Sequence, residues 1–159
     1  MKNLAKLIIL WSFIVSVVSA EDLYFTAIGE EDGKPLIFRS LQSVPEGSKE
    51  TDYPFLISIY WPYIPANDGG MPDAEANEAQ IVFEDALEYL DKPGISHLML
   101  VVTGNGRKEW HWYVKDIEDW MQGLNDALAG KPVFPIEIEN SKQPDWSLYH
   151  NFVSGVNGI

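Results

Sequence analysis

Few side chains in this sequence could do chemistry, and the three histidines, His97, His111 and His150, are the natural places to look. They are scattered, with no i, i+4 spacing of a zinc helix and no cysteine anywhere to complete a metal set, so no metal site is expected. The absence of cysteine also excludes a thiol nucleophile, and no Gly-x-Ser-x-Gly elbow occurs. Gly104-x-Gly106 is no phosphate loop, because apolar runs on both sides mark it as a hairpin turn. Nothing else calls for a cofactor. Carboxylates are plentiful. Asp68 to Glu78 and the group Glu84, Asp85 and Glu88 could bind a cation or share a proton, but acids at a helix start are expected simply because they favour its dipole. One pairing invites attention: Glu109 and His111 fall two residues apart on a strand, about 7 Å by strand rise, and could cooperate only if a third group converges on them. A hydrolase using Glu84 or Glu109 with His111 is therefore one reading.

The element that must position this pair is the stretch Leu98 to Val114, where two apolar runs meet at Asn105-Gly106. Both turn residues tolerate positive φ and the resulting turn matches strand twist, so a central antiparallel hairpin is expected. Alternation puts His97, Met99, Val101, Thr103, Lys108, Trp110, Trp112 and Val114 on one face, and Leu98, Leu100, Val102, Arg107, Glu109, His111 and Tyr113 on the other. The first set is bulkier and belongs under helices. The second would look outward, where Tyr60, Glu109, His111 and Tyr113 form a mixed aromatic and polar patch suited to binding a protein. Coverage of that face by the last helix or the first hairpin is the competing expectation.

Around the hairpin the order is legible. Leu23 to Ile28 and Leu36 to Leu41 flank an Asp32-Gly33 turn, Phe55 to Tyr63 is a strand, and Asp73 caps a helix reaching about Asp91. Asp116 caps a second helix ended by Gly130. Val133 to Glu139 is a strand whose Pro135 argues for a sheet edge, and Pro144 starts a short terminal helix carrying Trp146, Tyr149 and Phe152. From Phe55 onward this is an α+β, ferredoxin-like βαββαβ two-layer sandwich, with an added N-terminal β-hairpin and a short C-terminal helix patching an edge or an end.

The ends and the charge bound the setting. A basic start, an apolar run and the small-x-small exit Val18-Ser19-Ala20 describe a signal peptide over residues 1–20, leaving a single domain over 21–159. The apolar run is near the lower limit for a membrane span, but the cleavage site argues for removal, with no membrane association afterwards. Removal takes two lysines, so nine basic residues face 24 acidic ones, a formal charge of −15. Such a field repels phosphate backbones, excluding nucleic acid, and draws in a basic protein; it also keeps an exported chain soluble. No cysteine and no Asn-x-Ser/Thr after residue 20 suit a bacterial periplasm or a secreted bacterial protein.

Several short motifs in fixed order resemble the DUF695 family of bacterial domains of unknown function. They are Trp61-Pro62-Tyr63, Gly70-Met71-Pro72, Phe83-Glu84-Asp85, Thr103-Gly104-Asn105-Gly106-Arg107 with Glu109-Trp110, Leu124-Asn125, Phe134-Pro135-Ile136-Glu137-Ile138, and Asp145-Trp146 with Tyr149 and Phe152. The likeness spans nearly the whole chain after the apolar start. Lys108 departs from the family pattern by separating Arg107 from Glu109, which the family commonly keeps adjacent. A fainter likeness links the family to the regulator B of ribonuclease E activity, a small acidic protein that works by binding another protein. The expectation drawn from all this is an exported, non-catalytic binding domain, immunity- or inhibitor-like, with a basic protein as its partner.

Overall fold

The structure, a computed structural model, describes residues 24–157; the expected signal peptide lies outside the described residues. Six strands form one antiparallel sheet: β1 (Tyr24–Glu31), β2 (Lys34–Leu41), β3 (Phe55–Pro62), β4 (Ser96–Gly104), β5 (Arg107–Val114) and β6 (Glu137–Lys142), in the spatial order β1-β2-β4-β5-β3-β6. Three α-helices complete it: α1 (Ala74–Leu87), α2 (Ile117–Leu128) and α3 (Ser147–Asn157). The class is α+β, consistent with a two-layer sandwich of α1 and α2 on the sheet. Among the described residues no helix is long and apolar enough to cross a membrane.

Both hairpins close as their turn residues dictate. Asp32 and Gly33 have φ of 52° and 75°, and Asn105 and Gly106 have 48° and 79°, the paired positive values of a two-residue turn that follows strand twist. The β4–β5 hairpin therefore occupies the middle of the sheet, and the first hairpin extends it through β2 against β4. Asp73 and Asp116 cap their helices by accepting from the backbone N–H groups of Ala76 and Asp119, and each begins where expected.

The main core lies between the sheet and the first two helices. Ile57, Ile59 and Trp61 of β3 and Trp110, Trp112 and Val114 of β5 meet Phe83 and Leu87 of α1 and Trp120 and Leu124 of α2. A second cluster fills part of the opposite face, where Leu56, Met99 and Tyr113 pack under Trp146 and Tyr149. Further along, Leu36, Leu100 and Val102 meet Leu148 and Phe152 of α3.

Four expectations need correction. A β-bulge at Met99 breaks the alternation in β4, because Leu98 opposes Trp112 while Leu100 opposes His111. The extra residue turns the strand's start over, so Leu98 joins the main core, while His97 packs against Tyr53 and Trp146 and Met99 joins the second cluster. The last strand begins at Glu137, leaving Val133 to Ile136 outside it, since Pro135 supplies no ladder donor. The first helix ends at Leu87 and tightens into a 3-10 turn over Glu88–Leu90. The terminal helix starts at Ser147, after Trp146 at a φ of 49°, and lies across the second face of the sheet.

Candidate functional site

Helix α3 covers only one end of the second face, and the rest carries a chain of polar side chains along β5. Alternation aligns Arg107, Glu109, His111 and Tyr113 on this face, opposite Pro62, Tyr60, Ser58 and Leu56 of β3. The next strand sets Glu137 beside Tyr60 and Glu139 beside Ser58. Of the four residues expected on an open patch, Tyr60 is half-buried and borders open space. Tyr113 is fully buried under Trp146, and His111 and Glu109 are 3% and 8% exposed. The alternation along β5 holds, and the terminal helix shuts one end of the patch.

What remains is a continuous hydrogen-bonded chain. Asn105 Nδ2 donates to Glu31 at 2.8 Å, and the Arg107 guanidinium grips both oxygens of Glu31 at 2.9 and 3.1 Å. Arg107 Nε also donates to Glu109, whose second oxygen lies 3.1 Å from His111 Nε2. His111 Nδ1 is 2.9 Å from the Ser58 hydroxyl. With a carboxylate accepting at Nε2, a neutral ring carries its proton there and leaves Nδ1 to accept from Ser58. A third group therefore does converge on the Glu109 and His111 pair. Lys108 stands between Arg107 and Glu109, which puts those two on one face; its own side chain points to the other face, over Trp110 and 3.8 Å from Glu84.

The electrostatics follow from these contacts. Hydrogen bonds from Arg107 and Asn105 pull Glu31 down to about 2, and Glu31 and Glu109 hold Arg107 firmly protonated. Burial pushes Glu109 up, but hydrogen bonds from His111 and Arg107, with the Arg107 charge, outweigh it and leave it below the usual carboxylate value. Tyr60 is raised, by burial first and by the nearby Glu109 and Glu139 as well. At the open end, Tyr60, Pro62, Arg107, Glu137 and Glu139 line a shallow groove of about 360 Å³. Ser58 and His111 are not among its walls.

Most of the other positions singled out by motif are structural. Trp61 packs against Phe83 and Phe134 in the main core. Tyr63 ties the loop after β3 to the central turn, its hydroxyl donating to Gly70 O at 2.9 Å and its N–H to Gly106 O at 2.8 Å; burial pushes its phenol up to about 12. Gly106 N in turn donates to Gly70 O at 2.9 Å, so two glycine motifs distant in sequence form one corner. Glu84 accepts from the Trp110 indole at 2.8 Å and pairs with Arg39. Asp85 borders a cleft of about 400 Å³ between α1 and the first hairpin, with Tyr24, Arg39, Glu88 and Asp91. Trp146 donates to Tyr53 O at 3.0 Å.

One contact escaped sequence reasoning. Ser48 lies 2.9 Å from His97 Nε2, and Asp91 Oδ1 is 3.9 Å from His97 Nδ1. His97 is 1% exposed between Tyr53 and Trp146, and the Ser48 contact fastens the loop after β2 to the sheet. Only the bulge at Met99 turns His97 this way, and no sequence signal announces that bulge. The third histidine, His150, lies 2.6 Å from Glu50 at the surface. Among the described residues no group of three or more His, Asp or Glu side chains is placed to hold a metal ion.

A family model described as "Family of unknown function (DUF695)" matches residues 22–154. No curated protein and no solved structure matches the chain.

Proposed function

Since the chain belongs to DUF695, a family of unknown function, we propose from its geometry that it is an exported, non-catalytic domain that binds a basic protein through the uncovered end of the second sheet face. The observation that carries this is the charge balance of that end. Glu31 and Glu109 engage Arg107 and Glu137 and Glu139 line the groove beside it, so four carboxylates share that end with Arg107 and with Lys34, the cross-strand neighbour of Glu31. Glu137 and Glu139 are exposed, and among the described residues neither is ion-paired. A lysine or arginine entering the groove meets Tyr60 on one side and carboxylates on the other, a favourable setting for a cation. Net charge of −13 over the sequence steers such a partner in from a distance. An immunity or inhibitor role, neutralising a basic toxin or enzyme, is the concrete form, and the fainter likeness to a small acidic regulator that acts by binding agrees with it.

The strand order β4-β5-β3-β6, antiparallel throughout, with α1 and α2 sharing one core, supports a ferredoxin-like reading of the fold.

The test is a pull-down from envelope extract with the full chain tagged at its C-terminus, beside the double variant Glu137→Lys, Glu139→Lys. A specific basic partner should be retained by the wild type, lost on charge reversal, and released as salt rises. A partner held equally by both proteins would reject this face.

A hydrolase is the second reading, and the convergence of Ser58, His111 and Glu109 favours it. Ser58 is 5% exposed and does not line the groove, so a substrate reaches it only if the face opens. Labelling of Ser58 by a fluorophosphonate would establish this reading in place of the first.

A further inference from the structure

We infer that β6 is a docking edge, where the basic partner adds an extended segment as a seventh strand with the pattern basic, apolar, basic. This rests on the binding reading above and specifies how the partner is held. Among the described residues β6 ends the sheet, with β3 as its one strand neighbour. The outer side of a terminal strand presents backbone N–H and C=O groups, a template for another chain. Side chains on β6 alternate in a way that selects the visitor. Glu137 and Glu139 face the groove beside Tyr60, whereas Ile138 turns to the other face and packs against the main core.

An incoming strand sets its own side chains directly opposite these, with Cβ atoms roughly 5 Å away. Residues two apart on the visitor therefore meet the two glutamates, and lysine or arginine there forms cross-strand ion pairs, with stems along the Tyr60 ring. The residue between them points toward Ile138, where a β-branched apolar side chain extends the core.

The same pattern argues against a second copy of this chain. Pairing β6 with itself brings glutamates against glutamates, which is repulsive. The opposite edge, β1, lacks the pattern. Its two glutamates, Glu30 and Glu31, are adjacent and so point to opposite faces, and Glu31 is already held by Arg107.

The experiment is an amide NMR titration of the full chain at low salt with an alternating Lys-Val heptapeptide. The controls are the Glu-Val counterpart and a Lys-Val peptide N-methylated at alternate residues. The Lys-Val peptide should shift and slow the exchange of amides in Glu137–Lys142, and the Glu-Val peptide should not. Charge reversal at Glu137 and Glu139 should weaken binding by about tenfold or more, since it replaces two attractions with two repulsions. Unchanged amides in β4 and β5 would verify that the variant is folded. N-methylation should weaken binding as much, because it removes strand hydrogen bonds without removing charge. Equal binding of the N-methylated peptide would overturn strand addition while leaving an acidic binding face intact. Shifts confined to β1, concentration-dependent shifts without peptide, or no shift in β6 would each overturn the inference. Loss of the pulled-down partner on charge reversal would still stand independently as support for the face.

Discussion

The indole of Trp146 lies flat on the ring of Tyr113, with centroids 4.4 Å apart and planes within 9°. This one stack decides how much of the second sheet face is available. It seals the end carrying Tyr113 and leaves the end carrying Arg107 and Tyr60. The stack is held at both ends of the connection, because the Trp146 N–H donates to Tyr53 O at 3.0 Å while the Tyr113 hydroxyl donates to Gln143 at 3.0 Å.

Replacing Trp146 with alanine removes a fully buried indole and leaves a cavity, so the expected loss is about 3–5 kcal/mol. A lowered urea midpoint would measure it. Loosened packing of α3 should also make Tyr113 and His111 accessible, read as faster exchange of amides in β5. A change under about 1 kcal/mol would mean that α3 contributes little to closing this face.

Glu84 separates charge from hydrogen bonding. Trp110 is fully buried and its indole N–H donates to Glu84. Glu84→Ala strands that donor and should cost about 1–3 kcal/mol, whereas Glu84→Gln keeps an acceptor and should cost less. Chemical denaturation of both variants checks the ranking, and equal losses would assign the effect to the ion pairs with Arg39 and Lys108.

Gly104 and Gly106 flank one turn residue but should differ in tolerance. A Cβ on Gly106 would stand 3.4 Å from Tyr63 O, so Gly106→Ala carries chiefly the cost of a positive φ, about 1–2 kcal/mol. A Cβ on Gly104 would stand 2.5 Å from Pro35 O, a backbone atom of the neighbouring strand. Gly104→Ala should therefore be the more damaging, seen as a larger fall in thermal midpoint and weakened pairing of β2 with β4.

Acid should loosen the polar chain in a defined window. Arg107 and Asn105 hold Glu31 at about 2, below its ordinary 4.5. A carboxylate depressed in the folded state contributes stability that is fully present above its unfolded value and is lost as pH falls through the folded one. The stability difference between wild type and Glu31→Gln should stay constant above about pH 5 and vanish between about 4.5 and 2. Thermal melts across that range test it. A difference that persists at pH 2 would show that the link acts through packing.

Much of this protein could be read from local pattern. Asn105-Gly106 and Asp32-Gly33 specify their hairpins because few other residues accept consecutive positive φ. Asp73 and Asp116 mark helix starts because each satisfies a backbone N–H that the helix leaves unpaired. The order of motifs was enough to place the chain in DUF695. Strict alternation also put Arg107, Glu109 and His111 on one face, and that relationship holds.

Tertiary structure decided the rest. The bulge at Met99 comes from how β4 meets β5, and a single extra residue exchanges faces for everything before it. The convergence of Ser58 on His111 depends on the β3 register, set by side chains far apart in sequence. The extent of the open face depends on where α3 lands, and an apolar stripe on a helix says that it must be buried without saying against what. Periodicity and turn chemistry are local and so are written in the sequence; which surface stays exposed is a property of the whole packing, and only the folded chain determines it.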